Sequence, residues 1–294
     1  MSKLDTMLSK DLDSMLARDW DPKRHADLLD ELHLVISPKL DGIRCLVDGT
    51  GGHTRSKRLF PNSGIRHWLA EIGSIVARNP KILALDGELV CGEHDNSTWG
   101  RTSSAVMNKG AEVHPDLVFH VFDCITVEPQ TGYSERAMLA RNQVETLEKF
   151  SVKWVPHKSV TSLDEINEEW GNYVSQGYEG AMLNDGAAPY VHGRTEALLK
   201  LKLWDYAESR AIGVVQMFRN RPDGGLVEMG GAIKLENGVT VGTGFDDETR
   251  RWWWRNRHLL QSEYIIVRYK HLPPVGDGWP RHPVYVSKGV GEAA

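Results

Sequence analysis

No apolar run in the 294-residue chain approaches the 18 or so residues that a membrane span needs. The opening stretch, MSKLDTMLSKDLDSM, is too polar for the hydrophobic segment of a secretory leader, so a cytoplasmic location is expected. Cysteine is scarce: Cys45, Cys91 and Cys124 lie far apart in apolar stretches with no Cys-x-x-Cys pair. That excludes a disulfide framework and a thiolate zinc site, and leaves buried thiols. The twelve histidines form no His-x-x-x-His pair, so a dedicated transition-metal site is not expected either. Internal repeats and low-complexity tracts are absent, and a net charge of -5 excludes a uniformly basic surface.

What is present is the composition of an ordinary folded protein, 40% hydrophobic and 26% charged, long enough for one large domain or two unequal ones. The charge is unevenly spread: residues 1–204 carry 23 Lys+Arg against 29 Asp+Glu, and residues 205–294 carry 12 against 11. Local basic clusters, Arg55-Ser56-Lys57-Arg58 and Arg250-Arg251 with Arg255 and Arg257, can meet phosphates, although each alone is also what a solvated face looks like.

Apolar spacing places a helix over GIRHWLAEIGSIVARN (64–79), ending at Asn79-Pro80, and serine-capped amphipathic helices over 134–150 and 162–175. Strand character marks 82–90, 117–127, 178–185 and 196–204. Strands and helices do not strictly alternate, which predicts an α+β domain of mostly antiparallel sheets flanked by helices. After the linker Leu203-Trp204-Asp205-Tyr206 the texture changes to short strands, RAIGVVQMF, LVEMGGAIKL, VTVGTGF, EYIIVRYK and PVYVSKG, with one helix, DDETRRWWWRN, between the third and fourth. That layout predicts a small OB-like β-barrel. Trp252, Trp253 and Trp254 fan across about 200 degrees of helix, so two are expected in the barrel core and one at an interface.

The polar residues inside these strands raise the question of purpose. SPKLDGIRCLV (37–47) puts Lys39, Asp41 and Arg44 between two short strands that meet at Asp41-Gly42, a turn dipeptide. By the two-residue period of a strand, Asp86 and Glu88 share one face, and so do Lys200 and Lys202. Charges facing inward are costly unless paired. The economical reading is a shared cleft that sets Lys39, Lys200 and Lys202 against Asp86, Glu88 and Glu179; a purely structural salt-bridge network is the alternative.

The order KLDGIR (39–44), TRSKRLFPN (54–62), LDGELV (85–90), VFDCI (121–125), YEGAMLND (178–185) and LLKLK (198–202) resembles the nucleotidyl-transfer motifs of ATP-dependent DNA ligases. The likeness continues through GGAIKLENGVTVGTGFDDETR (230–250) and PRHPVYVSKG (280–289), which resemble the barrel of small phage ligases. Departures are Leu59-Phe60-Pro61 in the nick-contacting segment and Lys288 at a position often held by arginine; they bear on substrate grip more than on chemistry. The resemblance implies a nucleotidyltransferase domain over 1–204 followed by an OB-fold domain over 205–294. With about 38 residues before Lys39, it also implies a minimal ligase without a large amino-terminal DNA-binding or zinc domain.

The same resemblance implies roles. Lys39 would attack the α-phosphate of ATP, release pyrophosphate and hold AMP as a phosphoramidate, for which it must shed a proton; cationic neighbours and a metal ion favour that. Lys200 and Lys202 would supply the field and neutralise phosphate oxygens. Ser37, Lys39, Arg44, Glu88, Phe122, Lys200 and Lys202 would surround the nucleotide, with Glu88 on the ribose and Phe122 stacked on adenine, although Phe122 alone also reads as core. Glu179, with Glu88, would take Mg2+. Arg44, Arg55, Lys57, Arg58 and Arg250 would contact nicked duplex DNA, which a monomer away from any membrane would seal. Rival readings are an mRNA-capping guanylyltransferase, an RNA ligase, and a non-catalytic nucleic-acid-binding module. The phage-ligase likeness of the barrel argues against the first two, and retention of the lysine and both glutamates against the third.

Overall fold

The structure, a computed structural model, describes residues 13–25, 33–95, 97–202, 204–220, 224–272 and 280–290. Most of the polar amino terminus and Leu203 of the expected linker lie outside these residues. The chain divides into two units, Met1–Lys202 and Leu203–Ala294. Its class is α+β, antiparallel sheets flanked by helices. No described helix is long and apolar enough to cross a membrane.

Strands are numbered along the chain. In the first unit one sheet runs in the order Met15–Asp19 (β1), Gly193–Lys202 (β10), Gly180–Asp185 (β9), Leu34–Lys39 (β2), Lys158–Val160 (β8). All its pairings are antiparallel except β1 with β10. Alternation gives this sheet two faces. Ile36, Ala181, Leu183, Leu199 and Leu201 form a core with Ile166 and Tyr173 of the helix Leu163–Ser175, whose amino terminus Ser162 caps by accepting from the Glu165 N–H at 3.2 Å. The intervening residues face the other way, and among them are the cationic Lys39, Lys200 and Lys202 and the polar Ser37 and Asn184 beside the apolar Val35, Met182 and Leu198.

The second sheet runs Gly51–Thr54 (β4), Ile43–Asp48 (β3), Ile82–Cys91 (β5), Leu117–Thr126 (β6), Val152–Trp154 (β7). Ile65, Leu69, Ile72 and Val76 of the helix Ser63–Val76 pack on Val47, Leu85 and Phe119, the stripe expected from their spacing. This helix ends three residues earlier than read from the sequence, in a turn where the Ala77 N–H donates to Gly73 O at 2.9 Å. The helix expected over 134–150 spans Tyr133–Glu145, and its amino-terminal cap is Gly132, not a serine. Ser134 lies inside the first turn, where its N–H donates to Gly186 O at 2.9 Å. Cys45, Cys91 and Cys124 are buried free thiols.

The Asp41-Gly42 dipeptide departs most from its sequence reading. It joins no hairpin: β2 belongs to the first sheet and β3 to the second, so Leu40 to Gly42 carry the chain from one sheet to the other. Gly42 has no positive φ. Its freedom is one of space, because a Cβ there would sit 2.2 Å from Leu89 O and 2.8 Å from Glu88 Cγ. The close approach of this backbone to β5 brings Lys39, on the floor, and Glu88, on the wall, into one cleft.

In the second unit the sheet order is Thr240–Val241 (β13), Leu226–Leu235 (β12), Asp205–Asn220 (β11), Ile265–Leu272 (β14), Arg281–Val290 (β15). A bridge between Thr243 and Val284, with the Tyr285 N–H donating to Thr243 O at 2.9 Å, closes the ends into a barrel. The helix Asp247–Arg255 is capped by Asp246, which accepts from the Thr249 N–H at 2.7 Å. Trp253 is 1% exposed in the barrel core, Trp252 packs edge-on against it at 5.2 Å, and Trp254 lies outside beneath Arg257. Lys288 rests on the Trp252 ring at 3.1 Å. Arg250 was expected to contact DNA, yet its guanidinium turns into the barrel and donates to Gly230 O, Gly231 O and Gly242 O at 3.0, 2.7 and 3.1 Å. Its donors are spent on bare carbonyls of the barrel wall.

Gly42→Ala tests the spatial account of the crossing. The added methyl overlaps a backbone carbonyl and forces β3 and β5 apart, which costs about 2–3 kcal/mol. The expected result in urea is a lower midpoint with an unchanged slope; a midpoint equal to wild type would show that the contact is soft.

Candidate active site

Register fixes the floor of the cleft. Gly180 pairs with Lys39 on one side and Lys202 on the other; Met182 pairs with Ser37 and Lys200; Asn184 pairs with Val35 and Leu198. These three rows are about 7 Å apart along the strands. Lys39 and Lys202 share the first row, Lys200 the second, and the third carries no charge. Arg44, Glu88, Phe122 and Asp123 of the second sheet close one wall, Met15 to Ala17 of β1 another, and Arg55 stands at the edge, around a pocket of about 270 Å³.

The first row is held by Glu179. Its carboxyl is 7% exposed and accepts from Lys39 Nζ through one oxygen and from Lys202 Nζ, at 2.6 Å, through the other. Its own N–H donates to Lys39 O at 3.1 Å, which anchors it to the strand end. Burial works against its charge, but Lys39 and Lys202 together hold the carboxyl below the ordinary range. Burial and the neighbouring Lys39 and Lys200 push Lys202 down against the pull of Glu179. Lys200 Nζ stands 3.4 Å from Asp19, an exposed acid, and also borders the pocket.

On the opposite wall the two acids of Asp86-Gly87-Glu88 part company. The sequence reading set both in the cleft; Asp86 is instead 0% exposed and absent from the pocket lining. It accepts from Arg44 Nε at 2.6 Å and from the second guanidinium nitrogen at 2.5 Å, and from the Tyr190 hydroxyl at 2.6 Å. The Tyr190 oxygen in turn accepts from the Met15 N–H at 3.0 Å, which ties β1 to this network. Asp86 therefore aims Arg44 across the Phe122 ring, 4.6 Å from its centroid. A β-bulge between Asp86 and Gly87 separates the two acids' surroundings, and Glu88 alone lines the pocket. Burial pushes Glu88 up to about 7, with Arg44 and Lys39 opposing.

Of the expected site residues, the fold brings Ser37, Lys39, Arg44, Glu88, Phe122, Lys200 and Lys202 around one pocket, with Glu179 bonded to its lysines. Arg55, expected only for DNA, borders it too; Arg58 is exposed, and Lys57 pairs with Asp13 at 2.8 Å. Sequence reasoning missed Asp123, Tyr190, Asn184 and Arg194. Asp123 is buried and held by Arg136 at 2.9 and 3.0 Å; burial pushes it up to about 6 despite that partner. The polar interruption of VFDCI was a usable signal for Asp123, and Asn184, next to last in YEGAMLND, falls on the period that gives Met182.

Residues 14–202 match the family model described as ATP dependent DNA ligase domain. No curated protein sequence matches the chain. Among solved structures the chain is similar to one from a study of Lig E DNA ligases, with a TM-score of 0.69 at 22% identity, covering 94% of this chain and 99% of that one. It is similar also to Chlorella virus DNA ligase-adenylate, with a TM-score of 0.51 at 25% identity over 94% and 99% of the two chains. The ATP-dependent DNA ligase from bacteriophage T7 in complex with ATP gives a TM-score of 0.56 at 16% identity over 95% and 99%.

Two stability outcomes follow from the wall. Asp86→Ala takes the carboxylate partner from the half-buried Arg44 guanidinium and costs about 3 kcal/mol, whereas Tyr190→Phe removes one of three bonds to the carboxylate and costs about 1–2 kcal/mol. Equal losses in urea would refute the hierarchy. Glu88 works the other way. Its folded value near 7 lies above the ordinary 4.5, so its favourable contribution is complete below pH 4.5 and lost as pH rises through 7. Glu88→Gln should therefore stabilise the chain by about 1–3 kcal/mol at pH 8 and by little at pH 4.5. A gain independent of pH would mean that ionisation of Glu88 is not the cause.

Proposed function

The chain belongs to the ATP-dependent DNA ligase family, and from that membership we propose that it seals nicks in duplex DNA through a covalent lysyl-AMP intermediate on Lys39. The observation that carries this reading is Lys39 at the end of a strand, held by a buried carboxylate beside two further lysines, at the mouth of a nucleotide-sized pocket. The residues up to 204 would perform adenylyl transfer and 205–294 would supply the OB barrel, the chain acting as a monomer.

Lys39 Nζ, once its ammonium has shed a proton, attacks the α-phosphorus of ATP; the bond to the β-phosphate breaks and pyrophosphate leaves. Glu179 holds that nitrogen at the strand end before the attack. Lys200 and Lys202 face the same phosphate and offset the charge that builds on its oxygens. Glu88 accepts from the ribose hydroxyls, Phe122 covers the base, and Ser37 meets it from the floor. The 5′-phosphate at a nick then attacks the AMP phosphorus and frees Lys39. In the last step the 3′-hydroxyl attacks the 5′-phosphorus and AMP departs. Arg44, aimed by Asp86, is placed to hold the incoming 5′-phosphate, with Arg55, Lys57 and Arg58 on the flanking backbone.

Mg2+ fits this donor set. Glu179 is a hard oxygen donor kept ionised, and Glu88 a second carboxylate on the facing wall; no group of three acids, histidines or cysteines gathers among the described residues, so phosphate and water would complete the shell. Bound there, magnesium would neutralise phosphate charge.

Comparing three variants on plain and pre-adenylylated nicks separates the nucleophile from its helpers. Lys39→Ala should lose labelling by ATP and sealing of plain nicks, yet still seal a nick whose 5′-phosphate already carries AMP. Lys200→Ala and Glu179→Ala should slow that last step as well, by about 100-fold or more. An AMP adduct on Lys39→Ala would move the nucleophile elsewhere.

A further inference from the structure

The second unit carries a pocket that the proposed reaction does not use. Val227 and Glu228 of β12 and Arg251, Trp254 and Arg255 of the helix Asp247–Arg255 line a space of about 330 Å³. Positions 251, 254 and 255 stand three and four apart, so they form one stripe on the outer side of the helix, while Arg250 and Trp253 turn into the barrel. Trp254 is thus the tryptophan of the run that stays outside, and it is held in place there. Its indole N–H donates to the Glu228 carboxylate at 3.2 Å, and the Arg257 guanidinium covers one face of its ring at 4.0 Å. An aromatic side chain fixed at its edge and on one face before anything binds has little freedom left to lose on binding.

The chemistry of the lining says what fits. Among the described residues Arg255 has no ion-pair partner, and Arg251 reaches only Asp247, at 3.9 Å. Two guanidinium groups one turn apart and open on one side make a fork for an oxygen anion. An apolar ledge borders them: Val227 is half-buried, and Leu226 before it and Phe218, the cross-strand partner of Glu228, are more than half exposed. Tryptophan and arginine beside apolar surface are the residues on which protein contacts concentrate their binding energy. A nucleic-acid strand suits the surface less, because it repeats its charge at every residue. Along the helix it would meet Asp246, Asp247 and Glu248, and in the pocket itself Glu228. A segment with one carboxylate beside one apolar side chain meets only the arginines, the indole and the ledge.

We propose that the pocket between this helix and β12 is a docking site for a short peptide segment of a partner protein, one that carries a carboxylate next to an apolar side chain. The carboxylate accepts from Arg251 and Arg255, and the apolar side chain packs against Trp254 and Val227. The site is separate from the cleft of the first unit and stands whether or not that cleft transfers a nucleotide.

The test uses the full chain and a panel of fluorescein-labelled octapeptides of glycine and serine. Each carries one central pair, aspartate or glutamate beside phenylalanine, leucine or tryptophan, in either order. Fluorescence anisotropy should find at least one member bound by wild type, and about 10-fold weaker binding when its acid is replaced by the corresponding amide. Arg255→Glu reverses the charge of an exposed side chain and should weaken the same peptide about 10-fold or more, as should Trp254→Ala. An unchanged thermal midpoint for Arg255→Glu separates a lost contact from a lost fold. No member bound, equal binding of the acid and amide forms, or binding that survives Arg255→Glu each overturns the proposal. So does a labelled oligothymidylate that binds wild type more tightly than any peptide and is lost in both variants, since that result gives the surface to single-stranded nucleic acid.

Discussion

A single carboxylate between two ammonium groups constrains most of the first unit. Glu179 is nearly buried, and the Lys39 and Lys202 side chains that donate to it are half-buried. None of the three could be left there alone, because an unpaired charge in such a place is strongly destabilising. The triad can form only if the strands carrying Lys39 and Lys202 flank the strand that Glu179 precedes, which is the β2-β9-β10 order of the sheet. Once that order is set in antiparallel register, Ser37, Met182 and Lys200 must follow as the second row and Asn184 as the third. The charge pattern at one end of the floor thus decides the geometry of the whole floor.

The triad also leaves a surplus. Two lysines bond the buried acid, and a third, Lys200, lies over the adjacent row and stands 3.4 Å from the exposed Asp19. An excess of positive charge in a cleft is poor for the folded state and good for an anion. Glu88 shows the same compromise with the opposite sign, a carboxyl pushed toward neutrality by burial. Asp86, two residues away, is fully satisfied by Arg44 and Tyr190. One acid of the pair stabilises the wall, and the other faces the pocket.

That division explains what the sequence could and could not reveal. Strand periodicity put Lys200 with Lys202 and Asp86 with Glu88, and the structure places each pair on one side; periodicity carries no information about the bulge that sends the two acids to different partners. The Asp41-Gly42 signal was read as a turn because its local chemistry is that of a turn, but Gly42 answers to Leu89 O, a contact 47 positions along the chain that no local pattern encodes. Arg250 looked like a surface cation until the barrel closed around it and offered three carbonyls. β1 escaped notice for the same reason: MLARD does not alternate, and it becomes a strand by pairing with β10.

The two sheets contribute unlike things to the cleft, and the difference follows from how each is built. The floor comes from neighbouring strands of one sheet, so its side chains stand in a lattice with fixed spacing and are hard to displace singly. The wall is aimed by side-chain bonds, Asp86 to Arg44 and Tyr190 to Met15, which can lengthen without breaking a strand ladder. Under the proposed nucleotidyl transfer, a site that would hold one phosphorus still while different nucleophiles approach it would need the rigid element beneath the fixed group and the adjustable one beside the changing partner. Lys39 on the floor and Arg44 on the wall would suit that proposal, with Leu40 to Gly42 as the short span that joins them.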